Sequence, residues 1–271
     1  MGHSLLPVRP KPEIDESFSS WLIRLAWGNG IPPGPFCYRL LRHHLNWTRD
    51  ADRPIDPTTL QVFARATCTP ISLLLKTTIQ HYENLLFDQT TTRNAQTMIT
   101  SLGLYHRAHK RFGQTYCPRC LETDGCYRLP WRFVLMTTCT RHRELLWDKC
   151  WKCGATVRLN SNEWHCCDEC SADRRQAPKL PLEEAVLALQ LLLETSLSTF
   201  EPPAFSGVPS AKSYFKLIYD LMKILHYQSP RVIRLRQEIQ REFGVAEYTP
   251  SLRDHSERIE CLEVVARHQL L

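Results

Sequence analysis

Cysteine and histidine side chains recur as pairs through the middle of the chain, with two residues between the members of each pair. They are Cys117 and Cys120, Cys139 and His142, Cys150 and Cys153, and Cys167 and Cys170. This spacing lets one tight turn aim both ligands at a single ion, while backbone amides soften the charge on the sulfurs. Each pair supplies half of a tetrahedral site, so the series implies two closed sites, filled by two Zn2+ ions.

The simplest assignment is sequential, with Cys117, Cys120, Cys139 and His142 at one ion and Cys150, Cys153, Cys167 and Cys170 at the other. A cross-braced pairing uses the same ligands and stays open, as does the choice between Cys166 and Cys167. Cys126 and His165 are spare candidates. Cys37, Cys68, Cys126, Cys166 and Cys261 read as small buried hydrophobes. A closed set of four protein ligands leaves no position for a reactive water, so the sites are structural. Metal binding would supply the folding free energy of so small a block.

The totals agree with a metal rather than a disulfide reading. There are 12 cysteines in 271 residues, and the amino terminus, MGHSLLPVRPKPEIDE, has no apolar signal core. A reducing, cytoplasmic setting is therefore expected. No stretch approaches the ~20 apolar residues of a membrane helix; the run from Leu187 to Leu193 is broken by Gln190. The net charge of +6, from 34 basic and 28 acidic residues, permits a polyanionic partner without requiring one.

The elements around the block read as mainly helical. Phe18, Trp21, Leu22 and Leu25 fall on one helix face, which Asp15 or Ser17 caps and Gly28-Asn29-Gly30 ends. A second helix is expected from Phe36 to Asn46. Leu60, Phe63 and Ala64, then Leu73, Leu74 and Ile79, mark two helices separated by Thr67-Cys68-Thr69-Pro70, the length of a helix-turn-helix turn. An ordinary helical hairpin has the same pattern. Trp131 to Met136 has strand character.

After Cys170, residues 173–181 read as a polar linker. Pro181 then starts a helix to about Ser196, and Ser210 caps one through Tyr227 whose core face is Tyr214, Leu217, Leu221, Ile224 and Leu225. Further helices are expected from Pro230 to near Gly244 and from Ser256 to the end. The fold class is thus mainly α with small zinc-ribbon β elements. Three domains are expected: a helix-turn-helix domain over 1–113, a double zinc module over 114–175 and a helical bundle over 176–271.

No catalytic motif is present: there is no HExxH, GxSxG, Walker loop or GxGxxG. Asp15-Glu16, Asp168-Glu169 and Glu183-Glu184 read as caps and solvent-facing charges, and His43 and His44 as solvated. The expectation is a protein that is not an enzyme. Arg107, Lys110 and Arg111, in the basic and aromatic run YHRAHKR, join Arg119 as candidate nucleic-acid contacts. A solvated face would look the same. The segment from Ile71 to Thr78 is poorly equipped to read bases, having Lys76 as its one charge and three successive leucines.

Three segments together resemble the TniQ/TnsD family of bacterial transposon proteins. They are the opening LPVRPKPEIDESFSSWLIRLAWGNG, the helix pair around ATCTPISLLL, and the block YCPRCLETDGCYRLPWRFVLMTTCTRHRELLWDKCWKCGA. The resemblance covers about the first 170 residues. It implies a target-selection adaptor without chemistry of its own, joining a target-bound complex to an AAA+ ATPase of the TnsC or TniB kind, which recruits the transposase. That complex is either an RNA-guided CRISPR effector or target DNA, and pairing with a second copy is left open. Thr140 stands where the family usually has proline, and Arg143 where glycine commonly follows the histidine. The length tilts the reading towards a guide-complex partner or an accessory protein. The alternatives are a self-sufficient sequence-specific DNA-binding protein and a zinc enzyme, the latter disfavoured by the closed ligand sets.

Overall fold

The computed structural model describes residues 5–42, 50–53, 55–88, 98–100, 102, 113–159, 164–226, 258–259 and 262–263. Helix α1 (Phe18–Gly28) is the pillar of the amino-terminal part, and it is buried nearly all round. Ser17 is its cap, accepting from the Ser20 amide. The other exposed amides of the first turn also find partners: Phe18 N–H donates to the Thr77 carbonyl, and Ser19 N–H to Asp52 Oδ1 at 2.7 Å. A helix start buried this deeply needs every such donor satisfied.

Phe18, Trp21, Leu22 and Leu25 pack as the periodicity predicts, against α2 (Pro33–Leu41), α3 (Pro57–Thr67) and α4 (Ile71–Lys76). Phe63 meets Phe18 edge-on, with ring centroids 5.5 Å apart. Ile23, on the other side of α1, packs with Tyr116, Leu121 and Tyr127 of the cysteine block. One helix thus joins two cores.

Helix α2 starts earlier than predicted, because Pro33 suits a first turn. It stops at Arg42, which adopts the left-handed conformation (φ 61°); the predicted extension from 43 to 46, with His43 and His44, lies outside the described residues. Helices α3 and α4 are separated by a turn in which Cys68 is left-handed (φ 52°). Thr77 and Thr78 are buried rather than helical, so the second helix is shorter than the predicted segment.

Asp56 caps α3, and its carboxylate accepts from Thr58 and Thr59. Burial opposes its charge, but those hydroxyls and amides win and pull its pKa down to about 2. A depressed carboxyl adds stability that is present above its unfolded value of 3.8 and lost as pH falls towards 2. Asp56→Ala should cost about 1 kcal/mol in a urea titration at pH 7 and progressively less as pH is lowered.

The cysteine block holds α5 (Pro118–Thr123) and one antiparallel hairpin, β1 (Thr138–Cys139) with β2 (Glu144–Leu145), in register Thr138 to Leu145 and Cys139 to Glu144. The strand expected from Trp131 to Met136 is not there. Leu129–Arg132 is a single 3-10 turn, and Phe133 N–H returns to the Pro130 carbonyl. Pro130 denies a ladder donor, and this aromatic run is buried on several sides instead of alternating across a sheet.

Residues 173–181 are not a free linker. Arg174–Gln176 form a 3-10 turn packed on α5, and Arg174 is 1% exposed, with Nη1 donating to the Trp164 carbonyl at 2.7 Å. Helix α6 (Glu184–Thr199) starts three residues after Pro181, and α7 (Ala211–His226) follows it. The buried face of α7 is Ala211, Tyr214, Phe215, Ile218 and Met222, whereas Leu217 is exposed. The predicted face was turned by one residue, because Phe215 and Ile218 fit the core better than Leu217 and Leu221. The side chains of Ile224 and Leu225, and the predicted helix over 230–244, lie outside the described residues. Of the last predicted helix, 258–259 and 262–263 are helical.

Leu189, Leu193, Phe215 and Ile218 share one core with Ile79, Tyr82, Leu129, Phe133 and Leu135. Helices α6 and α7 are therefore built onto the cysteine block.

Candidate metal centres

Two clusters of ligand atoms lie in the block, each with its four atoms within 4.8 Å of one another: Cys117, Cys120, Cys139 and His142, and Cys150, Cys153, Cys167 and Cys170. The grouping is sequential. The cross-braced alternative is excluded, and Cys167, not Cys166, joins the second cluster.

Site 1 is assembled from two elements. Cys117 caps α5 and Cys120 sits in its first turn, while Cys139 ends β1 and His142 lies in the turn before β2. His142 Nδ1 is 3.3 Å from the sulfurs of Cys117 and Cys120 and 3.5 Å from that of Cys139; Cys120 and Cys139 sulfurs are 3.7 Å apart. In a tetrahedron with Zn–S of ~2.3 Å and Zn–N of ~2.0 Å, ligand edges come to ~3.8 Å between sulfurs and ~3.5 Å between sulfur and nitrogen. The donor set fits a zinc ion in size as well as type. The separations are far longer than a disulfide bond of ~2.05 Å. All three cysteines are buried.

Without an ion the crowded sulfurs divide their charge unequally. Hydrogen bonding with Cys117 and Cys139 lowers the Cys120 thiol, and the same sharing drives Cys117 up. Three thiolates this close repel one another unless a cation lies between them.

Site 2 is built from two matching turns. Cys150 N–H donates to the Ala155 carbonyl and Gly154 N–H returns to Cys150; Cys167 N–H donates to Ala172 and Ser171 N–H returns to Cys167. Each turn closes on a left-handed residue, Gly154 (φ 72°) and Ser171 (φ 55°). Glycine takes this conformation freely, and serine at modest cost. The sulfurs of Cys150 and Cys170 are 3.6 Å apart, as are those of Cys153 and Cys167. Burial opposes ionisation of Cys150, yet the amides of Cys153 and Lys152 pull its thiol down to about 7. Cys153 is exposed, so this site lies nearer the surface than site 1.

Two of the five spare cysteines are buried as expected. Cys37 and Cys126 are buried; Cys126 donates to the Asp124 carbonyl, and burial pushes the Cys37 thiol up to about 12. Cys68 is exposed, contrary to the buried reading, because its left-handed turn faces outward. Cys166 is half-buried and pairs through its backbone with Asp173, and His165 stands beside Trp164. Cys261 lies outside the described residues. So do Arg107, Lys110 and Arg111, leaving Arg119, exposed on α5, as the candidate nucleic-acid contact that is described.

Several residues at the sites were not singled out from sequence. Glu144 is 1% exposed, with Oε1 2.8 Å from the Cys117 sulfur. Glu16 is likewise buried, not solvent-facing: it takes Arg24 Nε at 2.8 Å, Arg24 Nη2 at 2.6 Å and the Ser20 hydroxyl at 2.8 Å. Ser20 Oγ in turn accepts from Tyr127 N–H in the block. Arg132 is buried between Asp50 and Asp52, with Nη1 2.9 Å and 2.6 Å from their carboxylates. A charged residue inside a core must be paired in this way.

Arg143 is left-handed (φ 52°) and forms an exposed pair with Glu184 at 2.8 Å. Left-handed backbone costs a side chain ~1 kcal/mol, and an exposed pair returns less than ~1 kcal/mol. Arg143→Gly should therefore leave the thermal midpoint within a few degrees of the parent.

A family model, TniQ, matches residues 7–146. No curated protein matches the chain. The matched segment takes in α1 to α5, the hairpin and all four ligands of site 1; it ends before site 2, α6 and α7. It spans just over half of the 271 residues, and the chain belongs to the TniQ family.

Proposed function

We propose that the chain selects transposition targets as an adaptor, joining a target-bound complex to an AAA+ ATPase of the TnsC or TniB kind. The target-bound complex is an RNA-guided CRISPR effector or DNA itself, and the transposase is reached indirectly. TniQ membership is the observation that carries this reading. The donor sets support it from a second side: two shells of four protein ligands suit structural zinc and leave no place for a substrate. On this reading the ions shape rigid surfaces, and the protein performs no catalysis.

The surroundings are those of a scaffold. The motif residues Glu16, Ser17, Ser20 and Arg24 spend their polar groups on one another and on the backbone. A net charge of +6 permits a polyanionic partner, and Arg119, Arg107, Lys110 and Arg111 are the proposed nucleic-acid contacts. No helix among the described residues is long and apolar enough to cross a membrane. A cytoplasmic setting suits unpaired thiols.

The test uses the purified zinc-loaded chain. It should bind random and target duplexes weakly alone, with little preference between them, and be retained strongly by the ATPase or the guide complex from the parent element. Tight binding to one duplex sequence by the chain alone, with a steep salt slope, would replace the adaptor by a self-sufficient DNA reader.

A further inference from the structure

Helix α6 lies outside the family match, yet its side chains reach the hairpin that carries half of site 1. Gln190 is fully buried. Its Oε1 accepts from Thr137 N–H at 2.9 Å and Thr138 N–H at 3.3 Å, and its Nε2 donates to the Leu135 carbonyl at 2.8 Å. On the opposite side, the Thr137 carbonyl accepts from Leu146 N–H, and Thr138 pairs with Leu145 of β2. The side-chain amide of Gln190 therefore stands where a third strand would. It fixes the segment running directly into Cys139.

The same helix meets the turn between Cys139 and β2 at two more points. The Thr140 hydroxyl donates to Glu194, and Arg143 pairs with Glu184. Gln190 and Glu194 are one helical turn apart, so they address the hairpin from one face. A buried polar residue in an otherwise apolar helix face is retained only with its hydrogen bonds made.

We propose that α6 is a working part of site 1: Gln190 is a positioning residue for Cys139, and ion binding at this site is linked to docking of α6 and α7. The inference rests on the metal reading of site 1. Linkage is reciprocal, so a helix that favours the bound geometry of the hairpin is itself held more firmly when the ion is present. Hydrogen-bonded groups that orient metal ligands commonly tune affinity by ~10–100-fold.

The experiment compares the full chain with Gln190→Met, which keeps the volume and loses the hydrogen bonds. Co2+ is the probe, since its d–d bands differ between a shell of three sulfurs with one nitrogen and a shell of four sulfurs. Competition with a chelator then gives the affinity of each site separately. Site 1 should weaken by ~10–100-fold while site 2 is unchanged, and hydrogen exchange in α6 and α7 should quicken when site 1 is emptied. Equal affinities in parent and variant overturn the proposal, and so does an equal loss at both sites, which would mark a general loss of stability. Should Gln190→Met fail to fold, Glu194→Ala, at a half-buried position, decides: a drop confined to site 1 upholds the proposal and no change refutes it. Failure of the parent chain to take up cobalt at all would defeat the metal reading itself.

Discussion

Removing both ions with a chelator should unfold the central block while the chain remains covalently intact. Structural zinc contributes on the order of 10 kcal/mol of apparent binding free energy, as much as the whole net stability of an ordinary domain. The described block has one two-residue hairpin and short helical turns as its regular structure. Its buried centre at site 1 is Cys117, Cys120, Trp131, Cys139 and Leu146, so three of the five residues are ligands. Without the cation, their thiolates become a repulsive cluster at the middle of that core.

Loss should occur in two phases. Site 2, with Cys153 exposed, should release its ion first; site 1, with every cysteine buried, should follow. Hydrogen exchange would then quicken over 113–159 and 164–177, and the packing signals of Trp131, Trp147 and Trp164 would collapse. Native exchange protection after complete chelation would show that the sulfurs are ordinary core residues.

The second large effect is expected at Arg132. Its guanidinium reaches Asp50, Asp52 and the Thr100 carbonyl, the last at 2.8 Å from Nη2. Asp52 also takes the Ser19 amide at the start of α1, and its own carbonyl accepts from Ile79 N–H. One guanidinium therefore ties the cysteine block to the amino-terminal helices. Arg132→Met leaves buried Asp52 without its cation and Asp50 with only Arg53, at 3.7 Å, and should cost about 3–5 kcal/mol. Burial already pushes the Asp52 carboxyl up, so losing Arg132 favours its protonation. Arg132→Met combined with Asp50→Asn and Asp52→Asn should recover most of the loss, since a network removed whole is far cheaper than one broken. Urea unfolding of the zinc-loaded protein reads both. A loss below ~1 kcal/mol for the single variant would reduce the network to a surface pair.

Much of site 1 and site 2 was legible because metal ligation constrains local spacing. A pair such as Cys150 and Cys153 declares its turn within four residues. Helix α1 was legible for a similar reason: its apolar positions repeat with the helical period, and Ser17 caps it. Partners distant in sequence were not legible. Gln190 read as a break in an apolar run, and nothing near it points to Thr137. Glu16 read as a solvent-facing charge, because its partner Arg24 is eight residues on and the covering groups come from the block.

The failed strand at Trp131 to Met136 has the same origin. An aromatic, β-branched run looks like a strand from its composition, but α6, α7 and the turn at Ile79–Tyr82 cover it on several sides. The face of α7 slipped by one residue because two apolar stripes, one through Leu217 and one through Ile218, compete on that helix. Packing against Phe133 chose the second, with Phe215 meeting it edge-on at 5.1 Å.

Two closed metal shells, free of reactive solvent, are expected to hold the docking surfaces of the proposed adaptor. X-ray absorption at the zinc edge, joined to elemental analysis of the purified chain, tests this most directly. Two zinc ions per chain are expected, sharing seven sulfurs and one imidazole nitrogen. A single ion per chain, or a shell containing a water oxygen, would contradict this.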